Sequence, residues 1–166
     1  MPVRPDDVYE FGIIVPDLER ALEELNRAFG YTFSPIFEGH LPLRGSEGDA
    51  LIPLRVAYSK QFPHLEVIEE RPGTYLVAPP GTSLHHIGAW VDDLDAESTR
   101  LEGLGMPMTL CGFVGEKSPA LYTFHSTGFG ALLELVSREG KADFDQLVFE
   151  GSIPEAPELH QFPSTR

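Results

Sequence analysis

The sequence holds one cysteine, Cys111, among 166 residues. No internal disulfide can form from it, and a lone thiol suits a reducing compartment. No apolar run approaches the roughly 20 residues that a membrane span requires, and no basic-plus-apolar leader stands at the N-terminus. Basic residues are also scarce: 12 Lys plus Arg stand against 26 Asp plus Glu, a formal charge of −14. Without a Lys/Arg cluster there is no basic footprint for a polyanion, which sets nucleic acid aside as a partner. These absences point to a soluble, cytoplasmic protein with a small-molecule partner and no membrane. An anionic substrate would depend on local cations, and Arg44, Arg55 and Lys60 are available in the first half. Hydrophobic content of 42% and charged content of 23% are those of a globular chain. The length suffices for one core, or for two small modules that share one.

What is present is a repeat. VYEFGIIVPDL (8–18) returns 76 residues later as LHHIGAWVDDL (84–94), with Glu10 in the first copy where the second has His86. After the first copy, Leu18, Leu22, Leu25 and Phe29 form an amphipathic helical stripe, with Asp17 to cap it and Gly30 to stop it. Strand-like runs follow at 33–41, 51–59 and 64–70, separated by turn-prone residues 45–49 and by Gln-Phe-Pro. After the second copy comes a helix with Leu94, Leu101 and Leu104 on one face, then strands at 108–115, 120–126 and 131–139. HLEVIEE and ALLELVSRE place Glu66 and Glu134 equivalently.

The expected fold class is therefore α+β, built from two tandem βαβββ modules at 1–72 and 84–139. A Pro- and Gly-rich linker covers 73–83, and an acidic extension covers 140–166. Within the extension DQLVFEG could add a strand or pack on a partner, and the end reads as a loose tail.

Strand alternation groups Glu10 with Gly12 and Ile14, and His86 with Gly88 and Trp90. It groups Glu66 with His64 and Ile68, and Glu134 with Leu132 and Val136. The glycines would leave room above a bound ion. A carboxylate among leucines, as at Glu134, is costly to bury without a partner. From the residues alone, the alternative for Glu10 is a surface residue near a loose N-terminus, and for Glu66 a solvated face shared with Glu69 and Glu70. His85 and His86 are adjacent, so alternation turns them to opposite sides and leaves His85 at the surface or an interface.

Four segments, EFGIIVPDLERAL, HLEVIEE, HHIGAWVDDLDA and FHSTGFGALLELV, resemble the vicinal oxygen chelate superfamily in order and spacing. That superfamily includes glyoxalase I, methylmalonyl-CoA epimerase, extradiol dioxygenases and bleomycin-resistance proteins. The resemblance implies a curved, incompletely closed, mixed sheet of eight strands (an open barrel) around a central site. It also implies one divalent ion held by Glu10, Glu66, His86 and Glu134. Many family enzymes have His or Gln where this chain has Glu10, so three Glu and one His are a departure. Oxygen donors favour Mn²⁺ or Mg²⁺, whereas imidazole admits Zn²⁺, Fe²⁺, Co²⁺ or Ni²⁺. Three carboxylates leave a negative excess that raises the proton affinity of at least one Glu. Alternatively, Glu10 is an acid–base group beside a three-ligand site.

The implied activity is that of an isomerase, epimerase or lyase that removes a proton next to a carbonyl, with an acyl thioester, a keto acid or a hydroxylated ring as substrate. Glu134 would be the base, with Glu66 or Glu10 serving the other face. Ile14, Ile68, Trp90 and His125 would contact substrate. An extradiol dioxygenase fits less well, because it needs two His and only His86 holds a ligand position. The alternative is a non-catalytic binding protein whose cleft is lined by Tyr58, Trp90, Phe113, Tyr122 and Phe124. Edge-to-edge pairing into a homodimer is the expected assembly.

Overall fold

Two βαβββ units follow one another in the computed structural model, which describes residues 2–113 and 121–151. The first runs β1 (Val8–Val15), α1 (Leu18–Phe29), β2 (Phe37–Gly45), β3 (Gly48–Tyr58) and β4 (His64–Glu69). The second runs β5 (Leu84–Val91), α2 (Leu94–Gly103), β6 (Met108–Gly112), β7 (Tyr122–His125) and β8 (Leu132–Ser137). Both helices start on an aspartate. Asp17 accepts a hydrogen bond from the Arg20 amide, and Asp93 accepts one from the Ala96 amide. Gly30 closes α1 in the left-handed conformation, with φ of 77°. The strand expected at 33–41 begins later, at Phe37, after Pro35, which has no amide hydrogen to give to a ladder.

Strand order around the sheet is β1-β4-β3-β2-β6-β7-β8-β5, and the ring is closed. β1 runs parallel to β4, β5 runs parallel to β8, and the other neighbours are antiparallel. The incompletely closed sheet implied by the family resemblance is thus zipped on both sides. The seam between β1 and β5 is long, whereas β2 and β6 meet over three residue pairs, Leu43–Gly112 to Gly45–Leu110. Ile14, Leu43, Ile52, Val56, Ile68 and Phe124 belong to the main apolar core. Leu76 joins them from the Pro- and Gly-rich stretch, which therefore contributes to packing as well as connecting the two units.

The start of the extension departs from expectation. Residues 141–150 form a helix, α3 (Lys141–Glu150), ended by Gly151 at φ of 70°. Phe144, Leu147 and Val148 have helical spacing, and Val148 is fully buried. DQLVFEG therefore does not add a strand; it lies in a helix that packs on its own barrel through Leu147 and Val148. The loose tail read from the sequence lies, from residue 152 onward, outside the described residues. Among those residues no helix is long and apolar enough to cross a membrane.

Candidate metal centre

The β1–β5 seam brings the two repeat copies face to face. Glu10 pairs with Gly88, and Gly12 pairs with His86. On the flanks, Gly12 pairs with Glu66 of β4 and Gly88 with Glu134 of β8. One local dyad therefore exchanges Glu10 with His86, Gly12 with Gly88, and Glu66 with Glu134. Four polar side chains from four adjacent strands converge inside the barrel, with Glu10 and His86 each 2% exposed and Glu66 and Glu134 each 9%.

The glycines serve a different purpose from the one expected. A β-carbon on Gly12 would collide with the His86 imidazole, and one on Gly88 would stand 2.7 Å from Cγ of Glu10. Each glycine thus makes room for the polar side chain of the opposite copy. Neither position tolerates a side chain without displacing a candidate ligand.

The seam also carries two bulges. Val8 pairs with Ala89 and Glu10 with Gly88, so Tyr9 is an extra residue in β1. Gly12 pairs with His86 and Ile13 with Leu84, so His85 is an extra residue in β5. A bulge re-aims its side chain and breaks strict alternation. His85 consequently lies beside His86, with their Nδ1 atoms 2.9 Å apart, and not at the surface or an interface as alternation implied. Its Nε2 lies 3.2 Å from the Tyr75 carbonyl. Since a carbonyl only accepts, that nitrogen carries the hydrogen, His85 Nδ1 accepts, and His86 Nδ1 donates. His86 Nε2 is left to face the carboxylates.

Around His86 Nε2, the nearest oxygens of Glu66, Glu134 and Glu10 stand at 2.9, 3.4 and 3.9 Å. Close as they are, none is aligned for a hydrogen bond, so His86 Nε2 is without one, as is the second Glu10 oxygen. Glu66 is better served, because its other oxygen accepts from the Tyr58 hydroxyl at 2.6 Å. Burial pushes Glu134 well above the ordinary carboxylate range, and the charges of Glu10 and Glu66 add to that against the pull of His86. Burial, then the charge of Glu66, also raises Glu10. Burial would raise Glu66 too, but His86 and Tyr58 outweigh it and leave Glu66 below its usual value. Burial disfavours charge on His86, yet Glu134, Glu10 and Glu66 overcome it and hold the ring well above its usual value. Burial, then the charge of His86, brings His85 down to about 4.

An acid cluster facing a ring nitrogen is stable only with positive charge between them, either a proton or a cation. One donor atom each from Glu10, His86 and Glu134 lie within 4.8 Å of one another, close enough to share one ion. One imidazole and carboxylate oxygens suit a borderline divalent metal. The residues therefore fit an ion, with Glu66 at the edge of the set.

The centre opens into a cavity of about 390 Å³. Tyr58, Ile68, Trp90, Tyr122 and Phe124 line it, as expected from the sequence. Ile14 does not; it packs in the apolar core. His125 does not either. Alternation puts Phe124 inside and turns His125 outward to Ser98 of α2 at 3.1 Å, with its Nδ1 donating to the Met106 carbonyl at 3.0 Å. Phe113 instead packs under the Arg44 guanidinium. Sequence reasoning missed Tyr9, His85 and Phe144, all of which line the cavity. Tyr9 stacks on Trp90 at 4.1 Å between ring centroids. Only the helical spacing that starts at Phe144 was there to be read.

Comparison with known families matches residues 10–124 to the glyoxalase/bleomycin resistance protein/dioxygenase superfamily. No curated protein sequence matches the chain. Among solved structures, methylmalonyl-CoA epimerase in complex with methylmalonyl-CoA and NH4+ superposes with a TM-score of 0.56 at 19% identity, over 79% of this chain and 93% of that one. A Streptomyces coelicolor methylmalonyl-CoA epimerase variant in complex with 2-nitronate-propionyl-CoA gives 0.56 at 19% identity, over 79% and 96%. The Mycobacterium tuberculosis methylmalonyl-CoA epimerase gives 0.51 at 20% identity, over 79% and 87%. At such identities the likeness is one of fold.

Proposed function

The chain belongs to the glyoxalase/bleomycin resistance protein/dioxygenase superfamily, and from that premise we propose that it is a divalent-metal-dependent isomerase or epimerase that removes a proton next to a carbonyl. One observation carries the reading. Two buried polar atoms without hydrogen bonds, on Glu10 and His86, lie beside further carboxylates at the junction of the two repeat copies.

Glu10, His86 and Glu134 would hold the ion, the three residues whose donor atoms cluster. Bound there, a divalent ion would polarise neighbouring substrate oxygens and make the adjacent C–H more acidic. His85 fixes the His86 ring so that Nε2 faces inward. The sequence pointed first to Glu134 as the base, but the arrangement favours Glu66. Glu66 is outside the tight donor group, is the carboxylate held below its usual value, and has one oxygen fixed by Tyr58. Its free oxygen, 2.9 Å from His86 Nε2, can take the proton. With Glu134 ionised as a ligand, the protonated Glu66 would be the group placed to return the proton. The apolar walls keep water from the charged intermediate state.

The test separates holding from transfer. Protein purified without chelators should carry about one divalent ion per chain, and Glu10→Gln, His86→Ala and Glu134→Gln should lose it. Glu66→Gln should retain metal yet lose roughly 10²–10⁴-fold in solvent deuterium exchange next to the carbonyl of any compound the protein turns over. A protein that takes up no Mn²⁺, Co²⁺, Ni²⁺ or Zn²⁺ refutes the reading and leaves a non-catalytic binding protein in its place.

A further inference from the structure

We propose that the ligand of this cavity is an uncharged compound with a flat, apolar ring, and that the site rejects free carboxylates. The proposal rests on the metal-dependent reading above and names its substrate class. The walls are aromatic: Phe37, Tyr58, Trp90, Tyr122 and Phe124 come from the barrel, and Phe144 comes from α3. Phe144 meets Tyr9, Tyr58, His64 and Trp90 edge-on, with centroids 5.1–5.6 Å away. These contacts span β1, β3, β4 and β5, so α3 lies across the mouth of the cup. An edge-on ring set of this kind accepts another flat ring readily.

Charge points the same way. Glu10, Glu66, Glu134 and Asp143 line the cavity. Against a divalent ion, the three glutamates alone leave one formal negative charge in excess. Among the described lining residues there is no Lys or Arg, and the basic groups are His85 and His86. His86 already faces the carboxylates, and both ring nitrogens of His85 are engaged, Nδ1 by His86 and Nε2 by the Tyr75 carbonyl. The cations that the sequence offered to an anionic substrate are elsewhere. Arg55 is shared by Glu19, Glu38 and Glu69, and Arg44 makes a two-pronged pair with Asp49. Lys60 is exposed and outside the lining. A carboxylate entering such a site would be desolvated beside a net negative cluster, with the ion already shared among the glutamates and no Lys or Arg in the described lining to pair with it.

Trp90 is the sole tryptophan and lines the cavity, so its emission reports occupancy. The full chain loaded with Mn²⁺ would be titrated with methyl benzoylformate and with its anionic counterpart benzoylformate. The ester should change Trp90 emission saturably, with a Kd at least about tenfold below that of benzoylformate. Phe144→Ala should weaken the ester several-fold and leave metal content unchanged. Equal or tighter binding of benzoylformate would overturn the proposal, as would the absence of a saturable response to the ester. Ester binding that is unchanged in metal-free protein and in His86→Ala would sustain the ligand class while refuting the metal-dependent reading, so the two failures are distinguishable.

Discussion

Gly12 and His86 occupy one place between them: the imidazole fills the space where a β-carbon on residue 12 would stand. Glu10 leans over Gly88 in the same way. The first ligand position of each repeat copy thus depends on the glycine of the other, and the centre exists only when both copies fold together.

Gly12→Ala should therefore displace His86. The ring is wholly enclosed, so the strain has no easy release, and stability should fall by about 1–3 kcal/mol. Gly88→Ala should be milder, because the flexible Glu10 side chain can swing aside. Thermal melts and calorimetric Mn²⁺ titration of both variants measure this; a Gly12→Ala protein with normal affinity would contradict the geometry.

Metal should stabilise the fold. At a free ion concentration of 100 times Kd the gain is about 2.7 kcal/mol, or roughly 5–10 °C in Tm for a chain of this size. Glu10→Gln, His86→Ala and Glu134→Gln should each remove the shift.

The pH dependence has a definite sign. His86 is held well above its unfolded value, so its stabilising contribution is complete below that value and is lost as pH rises through the folded one. Glu134 and Glu10, also raised, act in the same direction. Glu66, lowered, acts oppositely on the acid side. His85, brought from 6.5 to about 4, contributes roughly 3 kcal/mol above its unfolded value, lost as pH falls toward 4. The metal-free protein should weaken as pH rises beyond the unfolded value of His86, 6.5. A divalent ion replaces the departing proton, so the Tm gap between loaded and metal-free protein should widen with pH. A gap that narrows would mean the ion does not bind at this cluster.

His85 should prove a positioning residue. His85→Ala leaves the Nδ1–H of His86 without its acceptor, and metal affinity should drop about 10–100-fold. Asn at 85 offers a carbonyl acceptor and should recover part of the loss. Equal affinities in the two variants would show that the hydrogen bond does not orient the ring.

His125 gives the control. It is fully buried and bonded to Ser98, Thr123 and Met106 outside the cavity. His125→Ala should cost about 1–3 kcal/mol through polar groups left unsatisfied, with metal affinity unchanged. A loss of affinity at undiminished stability would return His125 to the site.

The amino-acid order by itself determined what local periodicity can carry. The duplicated segments, the capped helices, and the faces shared by Glu10 with Gly12 and by His86 with Gly88 all follow from spacings of two and of three to four. So does the convergence of Glu66 and Glu134, because their strands repeat the same pattern. Tertiary structure alone decided what depends on pairing. Whether Tyr9 and His85 bulge is a property of the β1–β5 register, where one extra residue on each strand has no counterpart opposite it. Closure of the ring depends on β2 meeting β6 across the sheet, which no window of either strand encodes. Phe144 becomes a cavity wall only because α3 folds back over rings from four distant strands. Side-chain periodicity is written along one strand, whereas register, closure and covering are set by the partner that strand meets.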